Sequence, residues 1–84
     1  MTPFETGLWR VAVHDDYEIT DAHTLRMAVN RALQATGHPG MSFAEQTRLL
    51  SDMGYPLHHI RNANGHKTWQ AFEHLRLTKE YTHD

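Results

Sequence analysis

Two stretches of this chain, Thr2-Pro3-Phe4-Glu5 and Ser42-Phe43-Ala44-Glu45, carry the same helix-start signature. They limit what it can fold into more than any other feature. In each, a hydroxyl can accept from the backbone of the third helical residue while that residue's glutamate reaches back to the cap. Pro3 also suits a first helical position, where its missing N–H costs nothing. The stops are equally legible. Gly37 and Gly54 each follow an apolar helical stripe, where a left-handed residue ends a helix.

Periodicity fills in the elements. Phe4, Leu8, Val11 and Ala12 fall on one helical face, so a helix is expected from Thr2. The β-branched Val11 and Val13 support a rival strand over 8–13, with 17–20 returning beside it as a small N-terminal β-hairpin. Start signal and period agree on the helix. Thr20 or Asp21 can cap a second helix over about 21–36. Its inner face would hold Leu25, Ala28, Val29, Ala32 and Leu33, with Arg26, Asn30, Arg31 and Gln34 outward. A third helix is expected over 43–53. Pro56 can open a short fourth over 56–64, closed by Gly65, and a fifth over 67–81 would turn Trp69, Phe72, Leu75 and Leu77 inward. The expected fold is therefore mainly α: a compact single domain over 1–84, of four to five short helices, with the N-terminal hairpin as the variant.

Composition narrows the function classes. With 84 residues, 39% of them hydrophobic, the core is adequate but thin, and a second copy would complete it. A homodimer is expected on that ground. The chain has no cysteine, so disulfides and thiolate metal sites are excluded. Residues 1–10 lack a basic region followed by an apolar run, and no stretch is apolar enough for a membrane helix, so a cytoplasmic location is expected. Net charge is −2, yet it is unevenly spread. Residues 1–47 hold three basic groups against six acidic ones, whereas residues 56–79 hold Arg61, Lys67, Arg76 and Lys79 against Glu73 alone. The C-terminal part is the side that would face an anion.

Residues 46–65, QTRLLSDMGYPLHHIRNANG, sharpen that reading. Leu49 and Met53 stand as inner residues of a first helix, Gly54 as a turn glycine and Tyr55 as the apolar group after it. Ile60 and Ala63 would anchor a second helix, leaving His58, Arg61 and Asn62 outward. The segment resembles a helix-turn-helix, set within about 43–64. Leu50 departs from the pattern, which usually has a small residue there. The resemblance implies binding to double-stranded DNA, with His58, Arg61 and Asn62 reaching base edges, since Arg and Asn can bond guanine and adenine bidentately. Lys67 and Thr68 would hold phosphate from the start of the next helix. The same residues also fit two ordinary helices joined by a glycine turn.

Eight histidines raise the question of a metal. No two are three or four apart, the spacing a helical zinc site needs, and no H-E-x-x-H occurs. Neither a metal nor a cofactor is expected. The histidines do imply that anion binding by residues 56–79 strengthens as pH falls toward about 6. No catalytic constellation stands out: Ser42 is a cap, Ser51 has no evident base, and Asp15, Asp16 and Glu18 read as a solvated loop. The expectation is a small non-enzymatic DNA-binding regulator. The alternative is a protein-binding adaptor or phage-type inhibitor without DNA contact, anchored by Trp9, Tyr17, Tyr55, Trp69 or Tyr81.

Overall fold

The computed structural model of the chain describes residues 1–61 and 68–78. Helix α1 (Pro3–Val11) opens at the capping box read from the sequence: Glu5 N donates to Thr2 Oγ1 at 3.1 Å and Thr2 N to Glu5 Oε1 at 2.9 Å. It runs straight into strand β1 (Ala12–Asp21). Asp21 caps α2 (Ala22–Ala35), accepting from Thr24 N at 2.9 Å. Ser42 caps α3 (Phe43–Asp52). Gly37 (φ +83°) and Gly54 (φ +97°) end α2 and α3 in the left-handed conformation. In both places the following amide reaches back to the helix, His38 N to Leu33 O at 2.9 Å and Tyr55 N to Leu50 O at 2.8 Å.

The C-terminal part corrects the sequence reading. Where a helix was expected over 56–64 there is strand β2 (Leu57–Arg61), and where another was expected over 67–81 there is strand β3 (Thr68–Leu77). The described residues form a small α+β domain of three helices and one three-stranded antiparallel sheet, ordered β1-β3-β2. It is not mainly α with four to five helices. The N-terminal alternative also needs correcting: β1 is a strand, but its partner is β3 and not residues 17–20.

The physical reason lies in β3. Trp69, Phe72 and Leu75 are spaced like a helical stripe, and a short apolar run does not by itself separate helix from strand. In the structure Phe72 and Leu75 both face the core, which a regular strand forbids because residues three apart lie on opposite faces. The alternation is broken at His74, a non-glycine residue at φ +69°. On β1 the consequence is larger. His14 pairs with Leu75 and Ile19 with Glu73, so residues 15–18 leave the ladder as an excursion. Thr20 Oγ1 donates to Leu75 O at 2.6 Å across the gap.

All three helices lie on one side of the sheet. α2 packs over β1 and β3, and α3 lies against β2. Phe4, Leu8 and Val11 of α1 meet Leu25, Val29 and Leu33 of α2, with Leu50, Phe72 and Leu75 closing the core. α1 approaches α2 closely at Gly7, whose added Cβ would stand 3.5 Å from the Leu33 side chain.

A buried polar network joins α2 to α3. Gln46 is fully buried and donates to Asn30 Oδ1 at 3.0 Å and Arg26 O at 3.2 Å. Asn30 in turn holds Met41 by both backbone groups, at 3.0 and 2.7 Å. Arg26, read as outward from the sequence, is instead largely buried. It lies 4.5 Å from the Phe43 ring centroid and donates to Thr47 Oγ1 at 2.8 Å. Burial lowers the pKa of its guanidinium, opposed by the charge of Asp21, and it stays protonated.

The break at His74 makes a sharp prediction. His74→Val should cost roughly 1–2 kcal/mol, because a β-branched side chain fits the left-handed region poorly. His74→Asn should cost less, since Asn tolerates that region. Chemical denaturation of the two variants checks the order, and equal losses would contradict the strained position.

Candidate nucleic-acid interface

The residues expected to meet DNA fall on the β2–β3 ribbon. Arg61 and Thr68 pair directly across it as its last described rung, and His58 pairs with Ala71 further in. Asn62 and Lys67 lie outside the described residues, as do Ala63 and Gly65. The second helix of the helix-turn-helix pattern is therefore absent over 57–61. Of the expected contact groups, Arg61 and Thr68 are brought together by strand pairing. His58 is set on the other face of the ribbon, because alternate residues of a strand point opposite ways.

The two faces differ in chemistry. Leu57, His59 and Arg61 lie on the helix side, where Leu57 packs against the core and His59 and Arg61, nearer the ribbon end, are exposed. Gln70 Nε2 donates to His59 Nε2 at 3.4 Å. His58 and Ile60 lie on the side away from the helices. There His58 Nε2 sits 2.9 Å from Glu73 Oε1, both side chains being partly exposed. From Leu57 to Gln70 the sequence contains no Asp or Glu, but it holds Arg61, Lys67 and three histidines. The ribbon is thus a locally basic element on a chain of net charge −2.

α3 lies against β2 and brings a mixed surface. Arg48 is exposed but bound on both sides, to Glu45 and to Asp52. Its bond to Glu45 lowers that carboxyl's pKa and raises its own. Arg48, the one basic residue of α3, is thus already taken up by carboxylates.

The β1 excursion was read from the sequence as a solvated acidic loop, and its geometry is more defined than that. Tyr17 stands at its tip, 95% exposed. His14 Nε2 lies 2.6 Å from Asp16 Oδ1 and its Nδ1 lies 2.9 Å from Tyr55 Oη. A neutral ring donating to the carboxylate and accepting from the phenol satisfies both contacts. His74 Nδ1 donates to Asp16 O at 3.1 Å, and Arg76 Nε to Asp15 Oδ2 at 3.1 Å. Desolvation raises the pKa of the Tyr55 phenol, as does the nearby Asp16 charge. The signal that could have found this site is the D-D-Y-E run, but its anchors on β3 are non-local. Among the described residues, no three His, Asp or Glu side chains are placed to hold a metal ion, and no helix is long and apolar enough to cross a membrane.

Comparison with protein-family models, with curated proteins and with solved structures yields no match.

Asp15 offers a local test of the excursion. The Tyr17 backbone N–H, at 3.0 Å, is the largest cause holding its carboxyl below the ordinary value, burial opposes it, and Arg76 adds to the lowering. A depressed folded-state value means that this group favours the folded excursion above the ordinary carboxyl range of about 3.9. That contribution is lost as pH falls through the lowered value. Carboxyl carbon NMR should place the Asp15 midpoint below that of an exposed Asp. Arg76→Ala should return only part of the shift, and a full return would show that the amide is not the main cause.

Proposed function

We propose that this chain is a small non-enzymatic DNA-binding regulator that presents its β2–β3 ribbon to double-stranded DNA in place of a recognition helix. One observation carries the reading: strand pairing sets Arg61 beside Thr68 at the last described rung of the β2–β3 ribbon, within a stretch of sequence, 57–70, that has no carboxylate. A two-stranded ribbon has the width to enter the major groove. Arg61 supplies a fork of donors for guanine or phosphate, and Thr68 a hydroxyl for phosphate. Asn62, Lys67 and His58 are the remaining candidate contacts; Lys67 acts in this reading as a phosphate cation. A cytoplasmic location goes with this function.

The rival reading is a protein-binding adaptor or inhibitor. Its support is the fully displayed Tyr17, since exposed aromatics are common interface anchors. The ribbon is favoured because its charge runs against that of the whole chain, and a solvated strand needs no such bias.

Fluorescence anisotropy with a labelled random-sequence duplex separates the two. Binding at about 50 mM salt should fall steeply by about 200 mM, and Lys67→Ala should flatten the salt slope by roughly one unit. Arg61→Ala should weaken binding further, and affinity should rise from pH 8 to pH 6 as histidines gain charge. Absence of binding at the lower salt would remove the DNA reading and leave the protein partner.

A further inference from the structure

Cross-strand pairing divides the end of the β2–β3 ribbon into two unlike faces. Arg61 pairs with Thr68 and His59 with Gln70. Directly opposed residues share a face, and every second residue of a strand returns to it. Leu57 and its partner Phe72 identify this face as the one turned to the helices, since Phe72 belongs to the core and Leu57 packs against it. Past that pair the core ends. His59, Arg61, Thr68 and Gln70 are all exposed and form a polar block of two rungs.

The block has hydrogen-bonding capacity to spare. Among the described residues Arg61 makes no ion pair, whereas Arg48 and Arg76 are both bound to carboxylates. Gln70 Nε2 donates to His59 Nε2 at 3.4 Å, which turns the amide nitrogen toward the ring. The second amide hydrogen and Oε1 of Gln70 have no partner among the described residues. α3 lies against β2, and its two carboxylates, Glu45 and Asp52, are held by Arg48. The other face of the ribbon is built differently. Ile60 stands beside Trp69 there, and His58 is bound to the carboxylate of Glu73.

We infer that the helix-side face of the ribbon end is the base-reading surface, with Gln70 selecting adenine beside Arg61 selecting guanine. This rests on the proposed binding to duplex DNA and names the bases it prefers. The charge fits, because this face offers a free guanidinium to a polyanion while the other offers a carboxylate. Gln bonds N6 and N7 of adenine with its amide oxygen and nitrogen, and Arg bonds O6 and N7 of guanine. His59 is a positioning residue, since it holds the Gln70 amide in one orientation. His58 has no part in base reading.

The spacing of the two readers sets the target. Arg61 and Gln70 are diagonal neighbours across the ribbon, a separation of about 7–8 Å. Successive bases rise about 3.4 Å along the duplex, so the two side chains span roughly two steps. The preferred site has a guanine and an adenine with one base pair between them.

Fluorescence anisotropy of the whole chain at about 50 mM salt tests this with a panel of labelled duplexes. The guanine and adenine stand zero, one or three base pairs apart, on the same or opposite strands, in an otherwise fixed sequence. A duplex with one intervening pair should bind at least about fivefold tighter than its counterpart lacking the adenine, the low end for a bidentate base contact. Gln70→Ala should abolish the adenine preference and keep the guanine preference, and Arg61→Ala the reverse. His59→Ala should reduce the adenine preference alone. His58→Ala should leave both ratios unchanged. All four side chains are at least partly exposed, and a ratio between duplexes is not moved by a uniform loss of folded protein. Salt-sensitive binding without base preference, or an adenine preference that survives Gln70→Ala or is lost with His58→Ala, overturns this inference and leaves the DNA reading standing. Absence of binding to every duplex overturns both.

Discussion

Phe72 and Leu75 must both enter the core, yet they stand three apart on one strand, and the sheet is organised by that requirement. Strand geometry sends residues three apart to opposite faces, so one residue between them must leave extended conformation. His74 does so at φ +69°. The ladder to β1 then loses register, and residues 15–18 are pushed out with Tyr17 at their tip. Arg76, His74 and His14 hold the displaced segment through Asp15 and Asp16, so the excursion is fastened to the strand that caused it.

A second constraint acts on the helical side. α3 meets the core chiefly through Leu50, and one buried leucine gives little to position a ten-residue helix. Gln46, Asn30 and Arg26 supply the rest by joining α3, the 36–42 connection and α2 through buried and partly buried hydrogen bonds. Hydrogen bonds of this kind fix orientation as well as energy, because leaving any member unpaired in the interior is costly. The helices are thereby committed to one side of the sheet. The other side holds Ile19, Ile60 and Trp69, which stay outside the core, and the His58–Glu73 pair.

The elements that were legible in the sequence have local causes. The capping box at Thr2, the Ser42 and Asp21 caps, and the stops at Gly37 and Gly54 are each written within four residues of where they act, and all appear in the structure, although Glu45 turns to Arg48 and does not close a box on Ser42. β2 and β3 were not legible because their decisive partners are distant in sequence. Trp69, Phe72 and Leu75 mimic a helical stripe only because a register break puts Phe72 and Leu75 on the same face, and that break answers to α1, α2 and β1. Arg26 was misplaced for the same reason, since its surroundings, Phe43 and Thr47, come from another helix. For the candidate interface, the residue types and their basic charge could be read off the chain. The supporting element could not, and Arg61 and Thr68 meet as strand partners where a helix was expected.

The account turns on β3 as a central strand with a partner on each side. Ala71 marks it, paired with Asp21 on β1 and His58 on β2. A ¹⁵N-edited NOESY spectrum of the chain tests this directly. The account predicts interstrand contacts from the Ala71 backbone to both Asp21 and His58, with strong sequential Hα–HN peaks over 68–73. Helical i to i+3 contacts across 68–77, or contacts to one neighbour alone, would contradict it.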